Sequence, residues 1–164
     1  MGKSEKGRQV RLSDHFTLAE MCKSQVAERR GIDQTPPPEA IKALQVLCDA
    51  VLERVRTHYK VPIIPSSGYR SPELNRAIGG SENSQHCKGA AVDFEVAAIP
   101  NIDVARWISQ QCAFDQLILE CFDPKAGANS GWVHVSFIEW PDARGEILTY
   151  TRKTGYSPGL PPPQ

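Results

Sequence analysis

The sequence has no excess of charge of either sign, because its 19 lysine and arginine residues balance 19 aspartate and glutamate residues. A protein that binds nucleic acid or an anionic membrane surface usually shows a basic excess or a basic stripe. The composition therefore favours neither kind of partner. It carries no information on the oligomeric state.

Long hydrophobic runs are missing as well. Lys3, Lys6 and Arg8 make the first ten residues basic, but no apolar run of seven or more residues follows them, which argues against an ordinary secretory signal. No apolar stretch reaches the length of about 18 residues that a membrane-spanning helix needs. We expect a protein that is cytoplasmic at synthesis and has no membrane span.

The five cysteines form no CxxC pair, and their odd number argues against a disulfide framework. They lie at positions 22, 48, 87, 112 and 121. Free thiols in a reducing compartment, buried as small apolar side chains, explain them best. Cys87 adjoins His86, but neighbours in an extended segment point to opposite sides, which argues against both binding one metal ion.

A chain of 164 residues is long enough for one domain with a single core and too short for two comfortable ones. We expect this domain to span residues 13–152. The polar residues 1–12 predict a flexible N-terminus. The proline-rich residues 153–164 predict a flexible, extended tail.

Capping and periodicity predict the main helices. Thr17 stands three residues before Glu20, a capping-box pattern that predicts a helix over 18–29. A second helix is expected to open at Pro38 or Glu39. Its apolar residues recur at steps of three and four, as on one face of an α-helix. They are Ile41, Leu44, Cys48, Val51 and Val55, with Leu47 and Leu52 widening the stripe.

The remaining elements are short and lie between turn residues. Helices are predicted over 72–78 and 101–111, and strands over 61–65, 89–96, 114–120, 132–137 and 146–150. The prolines in the first of these strands confine it to an edge or an end of the sheet.

The segment SQHCKGAAVD, residues 84–93, has the composition of half a metal site. It places the imidazole of His86 and the carboxylate of Asp93 seven positions apart, with a glycine and small residues between them. A catalytic zinc takes three protein ligands and leaves a fourth position to water, so a third ligand must come from elsewhere. The alternative is a turn that enters a strand, with His86 as a cap and Asp93 in solvent.

His134 is the candidate for the third ligand. In the strand around it, Trp132, His134 and Ser136 share one face, while Val133 and Val135 take the other. A histidine on the polar face of a buried strand needs a partner, which is either an ordinary structural contact or the metal ion. The chain already holds a two-ligand fragment that lacks an imidazole, and this favours the metal.

Four segments resemble a known family in order and spacing: SSGYRSPELNRAIGG, SQHCKGAAVDF, FDQLILE and GWVHVSF. The family comprises zinc peptidases that include D-Ala-D-Ala carboxypeptidases, the vancomycin-resistance D-Ala-D-Ala dipeptidases and phage L-alanyl-D-glutamate endopeptidases. The resemblance covers residues 13–140. It implies an α+β single domain of the type shared with the hedgehog signalling domain, in which a small, mainly antiparallel sheet carries the zinc site and helices pack on one side.

The resemblance also implies residue roles. One zinc ion would be bound by His86, Asp93 and His134. The catalytic carboxylate falls on Glu120, and Arg70 matches an arginine that lies near the substrate. The sequence departs from the dipeptidase branch, whose glutamate sits three residues before the last histidine, because Gly131 occupies that position.

Zinc-dependent hydrolysis assigns a chemical role to each of these residues. Zinc lowers the pKa of a bound water towards neutrality, and a nearby carboxylate takes its proton as a carbonyl is attacked. Glu120 is the candidate base, with Asp115 as the alternative, and Arg70 can hold a substrate carboxylate or a developing oxyanion. Four further residues are candidates for substrate binding, with ordinary structural roles as the alternative: Tyr69, Ser84, Trp132 and Ser136.

The sequence thus predicts a zinc-dependent peptidase that hydrolyses amide bonds of bacterial peptidoglycan peptides. A D-Ala-D-Ala carboxypeptidase and an endolysin-type endopeptidase share the same ligands, and the sequence does not separate them. Two alternatives from other classes are a catalytically silent, zinc-stabilised binding module and a structural or lysis component of a phage particle. The enzyme would act on the cell wall after release, and a phage-encoded origin fits the absence of a signal.

Overall fold

A six-stranded sheet organises the protein, whose computed structural model describes residues 9–163. The strands lie in the order β1-β2-β4-β3-β5-β6. They are β1 Ile63–Ser67, β2 Ala91–Val96, β3 Gln116–Glu120, β4 Trp132–Ser136, β5 Glu146–Thr151 and β6 Gly155–Pro158. Every neighbouring pair is antiparallel except β3 and β5, which are parallel. The proline-containing strand β1 lies at an edge, as predicted.

The described part of the chain contains six α-helices. They are α1 Leu18–Cys22, α2 Gln25–Arg30, α3 Pro38–Leu47, α4 Glu53–Tyr59, α5 Pro72–Ala77 and α6 Asn101–Gln111. A π-helical turn, Cys48–Leu52, joins α3 to α4, and a 3₁₀ helix, Gln85–Lys88, precedes β2. Within residues 9–163 no helix combines the length and the apolar character that crossing a bilayer would take.

The two faces of the sheet differ because side chains alternate along each strand. On one face the central strands bury apolar side chains against α3, α4 and α6. These side chains are Val92, Phe94, Leu117, Val133 and Val135. The opposite face carries the polar residues between them, so the helices stabilise the sheet from one side and leave the other side for a site.

The long helical segment that runs from α3 through α4 forms the centre of the core. Its predicted apolar stripe is confirmed, since six of its residues have no exposed surface. They are Leu44, Leu47, Cys48, Val51, Leu52 and Val55. The helix begins at Pro38, where the missing backbone donor costs no hydrogen bond.

The helix predicted over 18–29 is instead two short helices. Its capping box is present, with Thr17 and Glu20 bonding reciprocally. The chain then leaves helical geometry after Cys22, because the carbonyl of Met21 accepts the backbone N–H of Tyr69 at 2.7 Å. Ser24 caps the second helix. A contact with a residue 48 positions later in the chain therefore overrides the local pattern that predicted one helix.

The described parts of the two terminal segments, residues 9–12 and 153–163, contain more structure than predicted. The prediction of a flexible tail is wrong for Gly155–Pro158, because these residues form β6 and pair with β5. Arg106 also donates to the carbonyl of Pro161 at 2.9 Å. At the other end residues 1–8 of the predicted flexible N-terminus lie outside the described residues, whereas Leu12 is buried in the core.

Gly89 joins the 3₁₀ helix to the core. Its φ of 68° is in the left-handed region, and a Cβ there would lie 2.3 Å from the carbonyl oxygen of Ala40 in α3. Only glycine satisfies both conditions without strain. This close approach sets the position of the 3₁₀ helix relative to the central helix.

We expect Gly89→Ala to lower the free energy of unfolding by about 2 kcal/mol or more, because strained backbone and a clash with backbone combine. Gly79→Ala is the matched control, since Gly79 has a φ of 74° but nothing within 4 Å of its Cβ position. It should lose only about 1 kcal/mol. Chemical denaturation measures both values, and equal losses would contradict a role for the contact with α3.

Candidate metal centre

The 3₁₀ helix presents His86 to the polar face of the sheet. The side chain is buried, and its Nδ1 lies 2.8 Å from the carbonyl oxygen of Gly68. A carbonyl only accepts, so Nδ1 carries the proton and Nε2 is left with a lone pair. That Nε2 lies 3.5 Å from Oδ1 of Asp93. A backbone carbonyl thus sets the tautomer in which a histidine binds metal.

The strand register brings the other two residues together. Asp93 of β2 pairs directly with His134 of β4. Nδ1 of His134 lies 2.8 Å from Oδ1 of Asp93, and the two imidazole centroids are 5.2 Å apart. One ligand atom from each of His86, Asp93 and His134 lies within 4.8 Å of the others. Two imidazoles and one carboxylate at this spacing fit a zinc ion and leave room for a fourth ligand.

Asp93 is ionised in this setting. Burial alone would raise the pKa of its carboxyl, but the hydrogen bond from His134 and the nearby imidazole of His86 hold that pKa well below its usual range. The guanidinium of Arg70 adds a charge, with Nη2 lying 3.6 Å from Oδ2 of Asp93. A buried carboxylate with these partners is ready to bind a cation.

Arg70 is held in place by its neighbours. Its Nε donates to the hydroxyl of Ser67 at 3.1 Å, and its Nη1 donates to Oδ1 of Asn75 at 3.3 Å. The side chain is only 15% exposed. A guanidinium fixed from two sides beside the cluster keeps one edge for a further partner.

Glu120 ends β3 and faces the same cleft as the three residues. Burial raises the pKa of its carboxyl, the charge of Asp93 adds to this effect, and His134 and Tyr156 partly oppose it. The hydroxyl of Tyr156 lies 3.5 Å from Oε1 of Glu120. A raised pKa makes the carboxylate a stronger base than an ordinary glutamate, which is the property that a general base needs.

The backbone at Gly131 leaves no room for a side chain. Its φ is 72°, and a Cβ there would lie 1.8 Å from the carbonyl oxygen of Glu120. No side chain fits at the position where the dipeptidase branch carries its glutamate. Gly131 lies instead in the turn that leads into β4, where its backbone packs closely against that of Glu120.

A cleft of about 420 Å³ surrounds these groups. The three clustered residues, Arg70 and Glu120 all line it, and so do Ser84 and Trp132. Seven of the residues predicted for the site therefore meet in one depression on the polar face of the sheet.

A scan against protein-family models decides which family this arrangement represents. Residues 14–136 match the model described as Peptidase M15. The chain belongs to the Peptidase M15 family. No match was found among curated proteins. The resemblance and the α+β fold predicted from the sequence are thereby confirmed.

Peptidase M15 proteins are zinc-dependent metallopeptidases, and the donor set of this chain agrees with that requirement. Among the described residues His86, Asp93 and His134 are the only such group of histidine, cysteine, aspartate or glutamate side chains. Cys87 is not part of it. The 3₁₀ geometry, rather than the extended segment expected from the sequence, turns Cys87 away from the cluster.

Two residues predicted to bind substrate do not line the M15 cleft. Tyr69 is buried in the hydrophobic core and borders a different cavity. Ser136 has no exposed surface, and its hydroxyl accepts the backbone N–H of Gln116 at 3.1 Å. Ser136 shares a face of β4 with Trp132 and His134, as the alternation predicted, but it is fully buried. Both residues have structural roles instead.

Asp115 anchors the 3₁₀ helix of this M15 domain. Its buried carboxylate accepts Nη2 of Arg144 at 2.6 Å and Nε2 of Gln85 at 2.8 Å. Gln85 immediately precedes His86. These bonds occupy Asp115, so it orients the segment that carries a ligand and is not available as the alternative base.

Sequence reasoning missed Arg144 and Tyr156, which also line the cleft. Both lie beyond the residues that match the M15 model. The alternation of residues 146–150 predicted a last strand, but the proline-rich composition after residue 152 concealed the strand that carries Tyr156.

We expect the protein to bind one zinc ion, and binding to raise the melting temperature because only the native state forms the cluster. His134→Ala should weaken zinc binding by more than about a hundredfold. His58→Gln is the control, because His58 stacks on Trp107 with ring centroids 4.5 Å apart and lies outside the cleft. Elemental analysis and thermal unfolding with and without zinc test this, and wild-type affinity in His134→Ala would contradict it.

The Asp115–Arg144 pair should make stability depend on pH. Hydrogen bonds from Arg144 lower the pKa of Asp115 from 3.8 to about 2, against the opposing effect of burial. A lowered pKa contributes stability that is complete above pH 4 and is lost as the pH falls towards 2. Arg144→Gln should therefore cost about 1–2 kcal/mol at pH 6 and much less at pH 2.

Arg152→Gln is the matched control for this pair, because Arg152 is an exposed arginine that does not line the cleft. Denaturation curves at pH 6 and at pH 2 give the two free energies for each variant. A cost for Arg144→Gln that stays constant over this pH range would rule out the pair as its origin.

Proposed function

We propose that this protein is a zinc-dependent peptidase that hydrolyses amide bonds in the peptides of bacterial peptidoglycan, as a carboxypeptidase or an endopeptidase. The observation that carries the proposal is the convergence of His86, Asp93, His134 and Glu120 on one cleft of a Peptidase M15 chain. Metal-assisted hydrolysis of an amide requires ligands for the metal ion and a general base, and these four residues can supply both.

His86, Asp93 and His134 would hold the zinc ion. When bound there, zinc supplies the Lewis acidity that lowers the pKa of water towards neutrality. The contact between His86 and the Gly68 carbonyl keeps Nε2 free for this purpose. The interactions that lower the pKa of Asp93 favour its charged carboxylate, which is the form that binds a cation.

Glu120 is the proposed general base and acid. It accepts the proton of the attacking water and later returns that proton to the nitrogen of the leaving amine, so the proton count balances over the reaction. Its half-buried position on the cleft supports this assignment, because burial raises its pKa above the ordinary value of a glutamate and makes it a stronger base.

Arg70 is the proposed anchor for the substrate. Its guanidinium is already oriented by Ser67 and Asn75, so little side-chain entropy is lost when it binds. A planar fork of donors suits a peptide carboxylate or the oxyanion that forms during attack. Ser84 and Trp132 border the same cleft and are proposed to contact the peptide.

We expect Glu120→Gln to lower the turnover number on purified peptidoglycan by at least about a hundredfold, because the base is lost while the ligands remain. Zinc content should stay unchanged. Glu95→Gln is the control, since Glu95 is an exposed glutamate that does not line the cleft. Release of peptide fragments, with and without chelator, is the measurement.

A wild-type protein that binds zinc but releases no chelator-sensitive product would overturn the peptidase proposal. It would favour the silent, zinc-stabilised binding module instead. Full activity of Glu120→Gln would leave the peptidase in place and remove Glu120 from its mechanism.

A further inference from the structure

The hairpin of β5 and β6 extends the sheet beyond the residues that match Peptidase M15. The match ends at residue 136, whereas the hairpin covers Glu146–Pro158. Strand β5 pairs with β3, whose last residue is Glu120. The backbone N–H of Phe122 donates to the carbonyl of Tyr150 at 3.0 Å, which ties the exit of β3 to the same hairpin. The hairpin therefore lies directly beside the end of the strand that carries Glu120.

Tyr156 is the residue of β6 that reaches the cleft. It pairs with Tyr150 across the hairpin, and the two rings lie 4.7 Å apart at an angle of 51°. Its hydroxyl lies 3.5 Å from Oε1 of Glu120, and the side chain lines the same cleft as His86, Asp93 and His134.

The exposure of Tyr156 argues against a purely structural role. The residue is 59% exposed, so its burial contributes little to the stability of the core. Its hydroxyl nevertheless faces the one carboxylate in the cleft that neither joins the metal cluster nor pairs with a basic side chain among the described residues. Burial and the charge of Glu120 raise the pKa of the Tyr156 phenol, so it stays a proton donor at neutral pH.

A glutamate at a strand end needs such a contact. Glu120 has three rotatable side-chain bonds, and proton transfer requires a carboxylate oxygen within about 3 Å of the oxygen that carries the proton. A neutral phenol that donates to one carboxylate oxygen limits the rotamers and leaves the other oxygen to react. Catalytic hydrogen bonds are often longer in the free enzyme than in its complex with substrate, which accounts for a separation of 3.5 Å.

We propose that Tyr156 is a positioning residue for Glu120, so that one side chain of β6 belongs to the catalytic site. The inference rests on the proposed function, because Glu120 must act as the base for its position to matter. It adds to that function a residue from outside the matched family region.

The test compares Tyr156→Phe with Tyr150→Phe. Both substitutions remove one phenolic oxygen and keep the ring, but only Tyr156 places its oxygen on Glu120. Tyr156→Phe should lower kcat about tenfold, the loss expected for one hydrogen bond to a charged group, with KM and zinc content unchanged. Tyr150→Phe should keep wild-type kcat, and thermal unfolding should show that both variants are folded.

A double-mutant comparison separates positioning from an independent effect. If Tyr156 acts through Glu120, adding Tyr156→Phe to Glu120→Gln should lower kcat by less than about twofold, because the two residues act as one unit. A full tenfold loss in the Glu120→Gln background would overturn the proposal. So would equal kcat values for Tyr156→Phe and Tyr150→Phe.

A measurement without turnover makes the inference independent of the peptidase assay. The side-chain carboxyl signal of Glu120 can be followed by carbon NMR in metal-free protein. Tyr156→Phe should shift that signal and raise its titration midpoint, since the donated hydrogen bond lowers the pKa of Glu120. Tyr150→Phe should leave the signal unchanged.

The two kinds of failure are distinguishable. An NMR signal that responds to Tyr156→Phe, in a protein without hydrolytic activity, would overturn the proposed function and with it the catalytic role of Tyr156. An unresponsive signal in an active peptidase would overturn only the assignment of Tyr156 to Glu120.

Discussion

The structure depends on one buried carboxylate. Asp93 sits on a central strand of the sheet, ionised and bonded to His134 at 2.8 Å. A buried charge is costly unless it is paired, and each group around Asp93 supplies part of the pairing. The register of β2 on β4 brings His134 opposite to it, and the Gly68 carbonyl orients His86 towards it. These same contacts assemble the candidate metal site.

The cost of this polar face is offset by the other face of the same sheet. Strands β2, β3 and β4 bury an alternating set of apolar side chains against the helical segment that begins at Pro38 and against α6. Because the alternation is strict, each apolar residue that packs on the helices places its neighbours on the opposite, polar face of the sheet. Phe94 and Asp93 are one such pair, and Val133 and His134 are another. Stability and site come from the same strands.

Local patterns were sufficient for the elements that depend on neighbours in sequence. The capping box at Thr17, the proline start at Pro38 and the apolar stripe of the long helix all appear as predicted. Prediction failed where distant contacts decide. The first helix breaks because the backbone N–H of Tyr69 donates to the carbonyl of Met21. The tail forms a strand because it pairs with the free edge of β5. No pattern within a few residues contains that information.

The sequence by itself determined the family, the fold class and the identity of the three candidate ligands, because these follow from residue types at fixed spacings along the chain. Only the tertiary structure decided which polar residues share the cleft. It buried Ser136 and Tyr69, occupied Asp115 with Arg144, and brought Tyr156 to Glu120. The physical reason is that membership of a site depends on strand register, on strand order and on close backbone contacts such as that of Gly131 with Glu120, and these are properties of the packed chain.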